Sequence, residues 1–253
     1  MIPISDTVRT RTFPYVNVGL IVVNVVVFLY ELSLNFREVN RFFADHGVVP
    51  VQLVDWLQSP SGLEEPLTVI TAAFIHGGWL HLIGNMLFLW VFGDNVEDAL
   101  GHVAYLLFYL VAAVGAAALQ VAIDHNGSIP MVGASGAIAG VLGAYLVLYP
   151  TATVGVLIPW FWFFGAFPVP AVFLIGFWFL LQLFSGVASI GTATGVSEGV
   201  AFFAHVGGFA TGFLIVLLLR PRVDFLDNFR ARTILLVSPL VRADQAGEAM
   251  SWP

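Results

Sequence analysis

VAYLLFYLVAAVGAAALQVAI, residues 103–123, holds no charged side chain and a single amide, Gln120. A helix rises about 1.5 Å per residue and the hydrocarbon core of a bilayer is about 30 Å thick, so roughly 20 such residues reach across it. The run predicts a transmembrane helix. Comparable runs on either side predict spans near 13–33, 77–93, 133–149, 170–186 and 199–219. The first does not read as a cleaved signal peptide: Phe13 to Tyr30 is too long, and no small-residue cleavage site follows. The fold class predicted is an all-α polytopic membrane protein, a bundle of six transmembrane helices.

Composition points the same way. Only 10% of the 253 residues are charged and 59% are hydrophobic, with a mean hydropathy of +0.92. A soluble chain carries about 25% charge. The net charge is −7, from 16 acidic residues against nine arginines and no lysine. No basic patch suits a phosphate backbone, so nucleic acid is not expected as a partner. The absence of cysteine excludes disulfides, thiolate metal sites and a cysteine nucleophile. Serine, threonine, histidine and carboxylates remain for chemistry.

The predicted organisation is a short N-terminal tail at 1–12, one membrane domain at 13–219 and a C-terminal tail at 220–253. The longest polar connection, 34–66, carries short apolar pieces and reads as an interfacial loop. Residues 150–190 hold no charge and could supply two spans. Pro159, Pro168 and Pro170 interrupt them, and proline is costly inside a helix. A buried or interfacial loop at 151–168 followed by one span is the better reading. Arginines gather on the two tails, at Arg9 and Arg11 and from Arg220 to Arg242, which predicts cytoplasmic termini and an even number of spans. Loop 94–102 would share that side, although it carries Asp94, Glu97 and Asp98. The acidic, arginine-only balance suits a prokaryotic plasma membrane.

Ionisable and polar groups at membrane depth are expensive and mark functional sites. His81 and Asn85 fall in the second span, Ser135 opens the fourth within Gly133-Ala134-Ser135-Gly136, and His205 lies in the sixth. With the N-terminus inside, these three spans all run inward. His81, Ser135 and His205 then share one depth below the outer face, with His205 about six residues, or roughly 9 Å, into its helix. Small residues offer close approach: Ala139 and Gly143 lie below Ser135, and Gly208 and Gly212 lie below His205. A hydroxyl beside an imidazole is an activated nucleophile. Asn85, four residues after His81, shares its helix face, and both side chains could donate to an oxyanion. The Ser135 N–H at a helix N-terminus would add a donor.

Taken singly, each feature has a plainer reading. Gly-x-Ser-Gly is common in membrane helices, and a lone membrane histidine usually packs or relays protons. The His81/Asn85 pair could merely link helices. His46, His76, His102 and His125 read as loop or interfacial residues with no metal spacing, and Asn24 and Gln182 as interhelical hydrogen-bonders. Order, depth and small faces together point to catalysis.

Over roughly residues 67–215 the chain resembles the rhomboid family. The likeness is carried by His81-x-x-x-Asn85, Gly93-Asp94-Asn95-Val96-Glu97 with Gly101, Gly133-Ala134-Ser135-Gly136, and Ala204-His205-x-Gly207-Gly208 with Gly212. The resemblance implies a six-helix rhomboid-like bundle and an intramembrane serine protease without metal or organic cofactor. Ser135 would be the nucleophile and His205 the base. His81, Asn85 and the Ser135 N–H would form the oxyanion hole, and Glu97 would hold the end of span two. Transmembrane proteins would be the substrates and the lipid bilayer the setting. Ala139 stands where many relatives carry an aromatic residue under the histidine, so ring support would come from elsewhere. Two alternatives remain: a rhomboid-like protein that binds membrane clients without cutting them, and a transporter or channel whose polar residues line a solute path.

Overall fold

A computed structural model of the chain describes residues 2–160, 163–189 and 201–219. The predicted tail 220–253 lies outside them. Six apolar helices occupy the six predicted positions: α1 (Tyr15–Glu31), α5 (Trp79–Leu100), α6 (His102–Ile123), α7 (Ser135–Leu148), α8 (Ala171–Ser189) and α9 (Phe202–Leu219). Among the described residues α6, α8 and α9 are long and apolar enough to cross a bilayer. A fourth crossing counts if Glu64–Phe74 and Trp79–Leu100, bent by 82°, form one span. Residues 34–66, expected as an interfacial loop, are mostly helical. They fold largely into α2 (Phe36–His46), α3 (Pro50–Gln58) and the start of α4 (Glu64–Thr71), which a 3-10 turn at Ala72–Phe74 follows. Asn35 and Glu38 explain the start of α2: each side chain takes the other residue's backbone N–H, a reciprocal cap.

α7 is the centre. Every residue from Gly136 to Tyr145 is buried, and a helix buried on all sides must have neighbours all round. At 14 residues it is also short, about 21 Å long at ~1.5 Å per residue. The helix alone is shorter than the ~30 Å of hydrocarbon, and its first residue, Ser135, lines a cavity.

Two expectations need correction. The bundle is not purely helical: Ile2–Asp6 (β1), Thr153–Trp160 (β2) and Phe163–Pro170 (β3) form an antiparallel sheet in the order β1-β2-β3. Residues expected as a tail and as a loop are thus strands. The prolines that rule out a helix are compatible with a strand at an edge or beyond its neighbour. Pro168 and Pro170 lie on the edge strand β3, and Pro159 lies past Leu157, the last β2 residue that β1 reaches. Val154 and Val156 alternate into the core, fully buried.

The second correction concerns 94–102. α5 continues to Leu100 because its acids are bonded, not solvated. Glu97 is fully buried and accepts the backbone N–H groups of Val16 (3.0 Å) and Asn17 (2.7 Å). A carboxylate there satisfies the open N-terminus of α1, where the helix dipole favours negative charge. Asp98 likewise accepts from the Thr12 N–H and hydroxyl. Glu97 therefore fastens the start of α1, besides standing near the end of α5. Gly101, at φ +83°, makes the one-residue turn into α6. Asp6 accepts from Tyr145 Oη (2.5 Å) and Asn95 Nδ2 (2.8 Å), tying β1 to α7 and α5. Burial pushes the Asp6 carboxyl above its ordinary range, and the Tyr145 hydroxyl offsets part of that rise. Asn24 is no interhelical link: its amide donates to Leu20 O in its own helix.

Candidate active site

Ser135 is the first residue of α7. The segment before it is pinned on two sides: Met131 exchanges backbone hydrogen bonds with Val48, and the Gly133 N–H donates to Ala72 O (2.8 Å). Gly133 adopts φ +129°, which disfavours any side chain. A Cβ there would also lie 2.6 Å from His81 Nε2, so the imidazole of His81 covers the space a side chain would fill.

α9 brings His205 to the serine. Its Nε2 lies 2.7 Å from Ser135 Oγ. The approach is set by backbone: Gly208 rests on the Gly136 carbonyl and Gly212 on Gly140, with no room for a Cβ at either. The α7 face that meets Gly208 and Gly212 is therefore Gly136 and Gly140, not Ala139. Gly143 does belong to the contact, against Phe209, while Ala139 is wholly enclosed in the core. Close backbone approach of this kind is what small residues provide between membrane helices. α9 begins at Phe202, so His205 is nearer its start than the expected six residues. His81, Ser135 and His205 thus all fall in the first turn of their helices.

Two side chains of α8 complete the surroundings of His205. Gln182 Oε1 is 2.9 Å from Nδ1, and the Trp178 ring stands 5.8 Å from the imidazole, tilted by 41°. Ser135, His205, His81, Asn85, Trp178 and Gln182 all line one open cavity of about 690 Å³. Asn85 is buried, and its Nδ2 is 2.9 Å from His76 Nε2. That contact occupies one amide N–H and leaves the other for a ligand. Chemically the array offers a hydroxyl beside an imidazole and, across the cavity, an imidazole and an amide. Among the described residues no group of three or more acidic or histidine side chains could hold a metal ion.

Residues 63–222 match the family model described as the rhomboid domain, well over half of the chain. The chain belongs to the rhomboid family. It is 29% identical to RHOMBOID-like protein 4 of Arabidopsis thaliana over 85% of its own length and 56% of that relative. It is 32% identical to the same plant's RHOMBOID-like protein 6, mitochondrial, over 70% of the chain and 51% of the relative. Rhomboid protein 1, mitochondrial, from Saccharomyces cerevisiae is 27% identical over 78% and 51%. The chain spans about half the length of the curated relatives it matches. Family and apolar helices together make it an integral membrane protein of intramembrane-protease type fold, set in a lipid bilayer.

Sequence reasoning left three residues of this rhomboid without a site role. His76, expected at a loop or interface, is in the loop before α5 but wholly buried. Its N–H donates to Glu31 (3.2 Å), and its ring stands 5.0 Å from that of His81. The five-residue gap to His81 excludes a shared helix face, yet Gly77-Gly78 lets the chain fold back so that the two rings meet. Gln182 does link helices, and its link is to His205. Trp178, one turn earlier on the same face, was not singled out. A tryptophan four residues before an amide in an uncharged span was the available signal.

Proposed function

We propose that this rhomboid is a serine endopeptidase that hydrolyses peptide bonds in or beside the transmembrane segments of other membrane proteins. The observation that carries the reading is the 2.7 Å separation of Ser135 Oγ from His205 Nε2 in an open cavity. The Ser135 hydroxyl attacks the scissile carbonyl carbon while its proton passes to Nε2. The carbonyl oxygen becomes an oxyanion, to which His81, Asn85 and the Ser135 N–H donate. The proton on Nε2 moves to the departing amine, leaving an acyl group on Oγ. Water then attacks the ester with His205 again as base, releasing the acid and restoring the serine.

The reading extends to topology. Both termini are cytoplasmic, six segments between 13 and 219 cross the bilayer, and the site opens toward the extracytoplasmic half of a prokaryotic plasma membrane. Substrates whose helices unwind easily suit such a site, because a hydrogen-bonded helix hides its carbonyls from a nucleophile. A client-binding protein without activity is disfavoured, since serine and histidine are both present and in contact.

The test is labelling by a fluorophosphonate probe together with cleavage of a generic transmembrane substrate by the detergent-solubilised protein. Ser135→Ala and His205→Ala should each abolish both signals. Labelling that survives Ser135→Ala means another nucleophile.

A further inference from the structure

We infer that Gln182 is the third member of the reactive array, a positioning residue that holds His205 in the tautomer able to accept a proton from Ser135. This rests on the proteolytic reading above. A carbonyl oxygen can only accept a hydrogen bond. Because Gln182 Oε1 lies 2.9 Å from His205 Nδ1, the proton of the neutral ring belongs on Nδ1. Nε2 is then bare and faces the Ser135 hydroxyl at 2.7 Å. In the opposite tautomer Nε2–H would donate to Oγ, and the ring could not take the serine's proton.

The same helix brings a second side chain beside the ring. Trp178 and Gln182 are four residues apart on α8 and so project from one side of it. The Trp178 ring stands 5.8 Å from the imidazole, tilted by 41°, and Gln182 meets its far nitrogen. Ala139 supplies no ring, and Trp178 of α8 is an aromatic neighbour of the imidazole. When Ser135 transfers its proton, the imidazolium formed donates through both nitrogens. Nδ1–H remains on Gln182 Oε1, and Nε2–H goes on to the leaving amine. A neutral amide stabilises that cation by its carbonyl dipole without placing a carboxylate in an apolar bundle, where an ion carries a heavy desolvation cost.

The test compares the full-length wild type with Gln182→Leu, which keeps bulk and loses the acceptor, and Gln182→Glu, which keeps an acceptor at the same reach. Cleavage of one transmembrane substrate is followed in lipid vesicles, and 15N histidine spectra report the tautomer, with the His205 signal assigned by its loss in His205→Ala. The leucine variant should lose about 10²-fold in kcat, the low end of what proton transfer by a positioned group contributes, with KM little changed. The glutamate variant should recover most of that loss. Wild-type His205 should carry its proton on Nδ1, and the leucine variant should populate the Nε2–H form. An unchanged kcat in Gln182→Leu overturns the inference, as does a glutamate variant no better than the leucine one. Should the leucine variant not fold, an Nε2–H ring in the wild type overturns it alone. Ser135→Ala separates the two claims: if it still cleaves, the assignment of Ser135 and His205 as the reacting pair has failed and this one with it. If only the Gln182 results fail, the dyad stands without a third member.

Discussion

Gly208→Ala should disconnect His205 from Ser135 while leaving the fold intact. A Cβ at position 208 would lie 2.9 Å from the Gly136 carbonyl carbon and nearer still to its oxygen. Carbon atoms in contact sit at about 3.5 Å or more. The shortfall from that atom alone is about 0.6 Å (3.5 − 2.9), and the oxygen raises the required separation of α7 and α9 to about 1 Å. Neither obstacle is a flexible side chain, so the helices must part. Position 208 is one turn from His205, and the added separation acts along the line between the two helices. The Oγ to Nε2 distance of 2.7 Å then grows to about 3.7 Å, past the roughly 3.2 Å within which a base must lie. A misplacement of about 1 Å costs on the order of 10²-fold in rate, and overpacking costs about 1–3 kcal/mol in stability. The assay is turnover of a transmembrane substrate beside a thermal melt. Gly176→Ala serves as the control, because a Cβ there meets nothing within 4 Å. Turnover within about threefold of wild type in Gly208→Ala, with KM unchanged, would refute the view that this backbone contact sets the proton-transfer distance.

Asn85→Ala removes one oxyanion donor, which is worth about 2.7–4 kcal/mol, so kcat should fall about 10²–10³-fold while fluorophosphonate labelling partly survives; a wild-type kcat takes Asn85 out of the site. Asp6 gives a pH prediction. Its pKa is raised in the folded chain from an ordinary value of 3.8, so the folded state holds this proton more tightly than the unfolded one. Stability from this group is greatest below the ordinary value and declines as pH climbs through the folded one. Asp6→Asn should flatten that decline in melts taken from pH 3 upward; an unaltered slope assigns the effect to another group.

The sequence was most legible where physics imposes a repeat. Apolar length located the six apolar helices, three of them long enough to cross a bilayer, because water and hydrocarbon leave little choice. Polar residues at membrane depth were equally readable: Ser135, His205, His81 and Asn85 all stand on one cavity. What failed was anything decided by partners distant in the chain. Glu97 reads as a loop acid until α1 arrives with two unbonded N–H groups. Pro159, Pro168 and Pro170 exclude a helix, but whether they end in a loop or an edge strand depends on β1, some 150 residues earlier in the chain. The burial of His76, whose N–H reaches Glu31 of α1, had no sign in its own loop. The small face of α7 was placed one residue off, since Ala139 and Gly140 are both small and composition cannot choose between them.

The two nitrogens of His205 therefore rest on different foundations. The Nε2 side is fixed by backbone against backbone, where Gly208 and Gly212 of α9 lie on Gly136 and Gly140 of the enclosed helix α7. Close-packed contacts of this kind do not deform gradually. The Nδ1 side is held by α8, of which only Ala171, Leu174, Ile175 and Gly186 are buried, with Phe179 stacked on Phe209 at 4.4 Å. A helix with so little buried surface is the easier one to displace. Changes at the glycine contact should thus alter stability and rate together. Changes along α8 should alter rate first, because there the imidazole loses its Gln182 partner before the bundle loses its core.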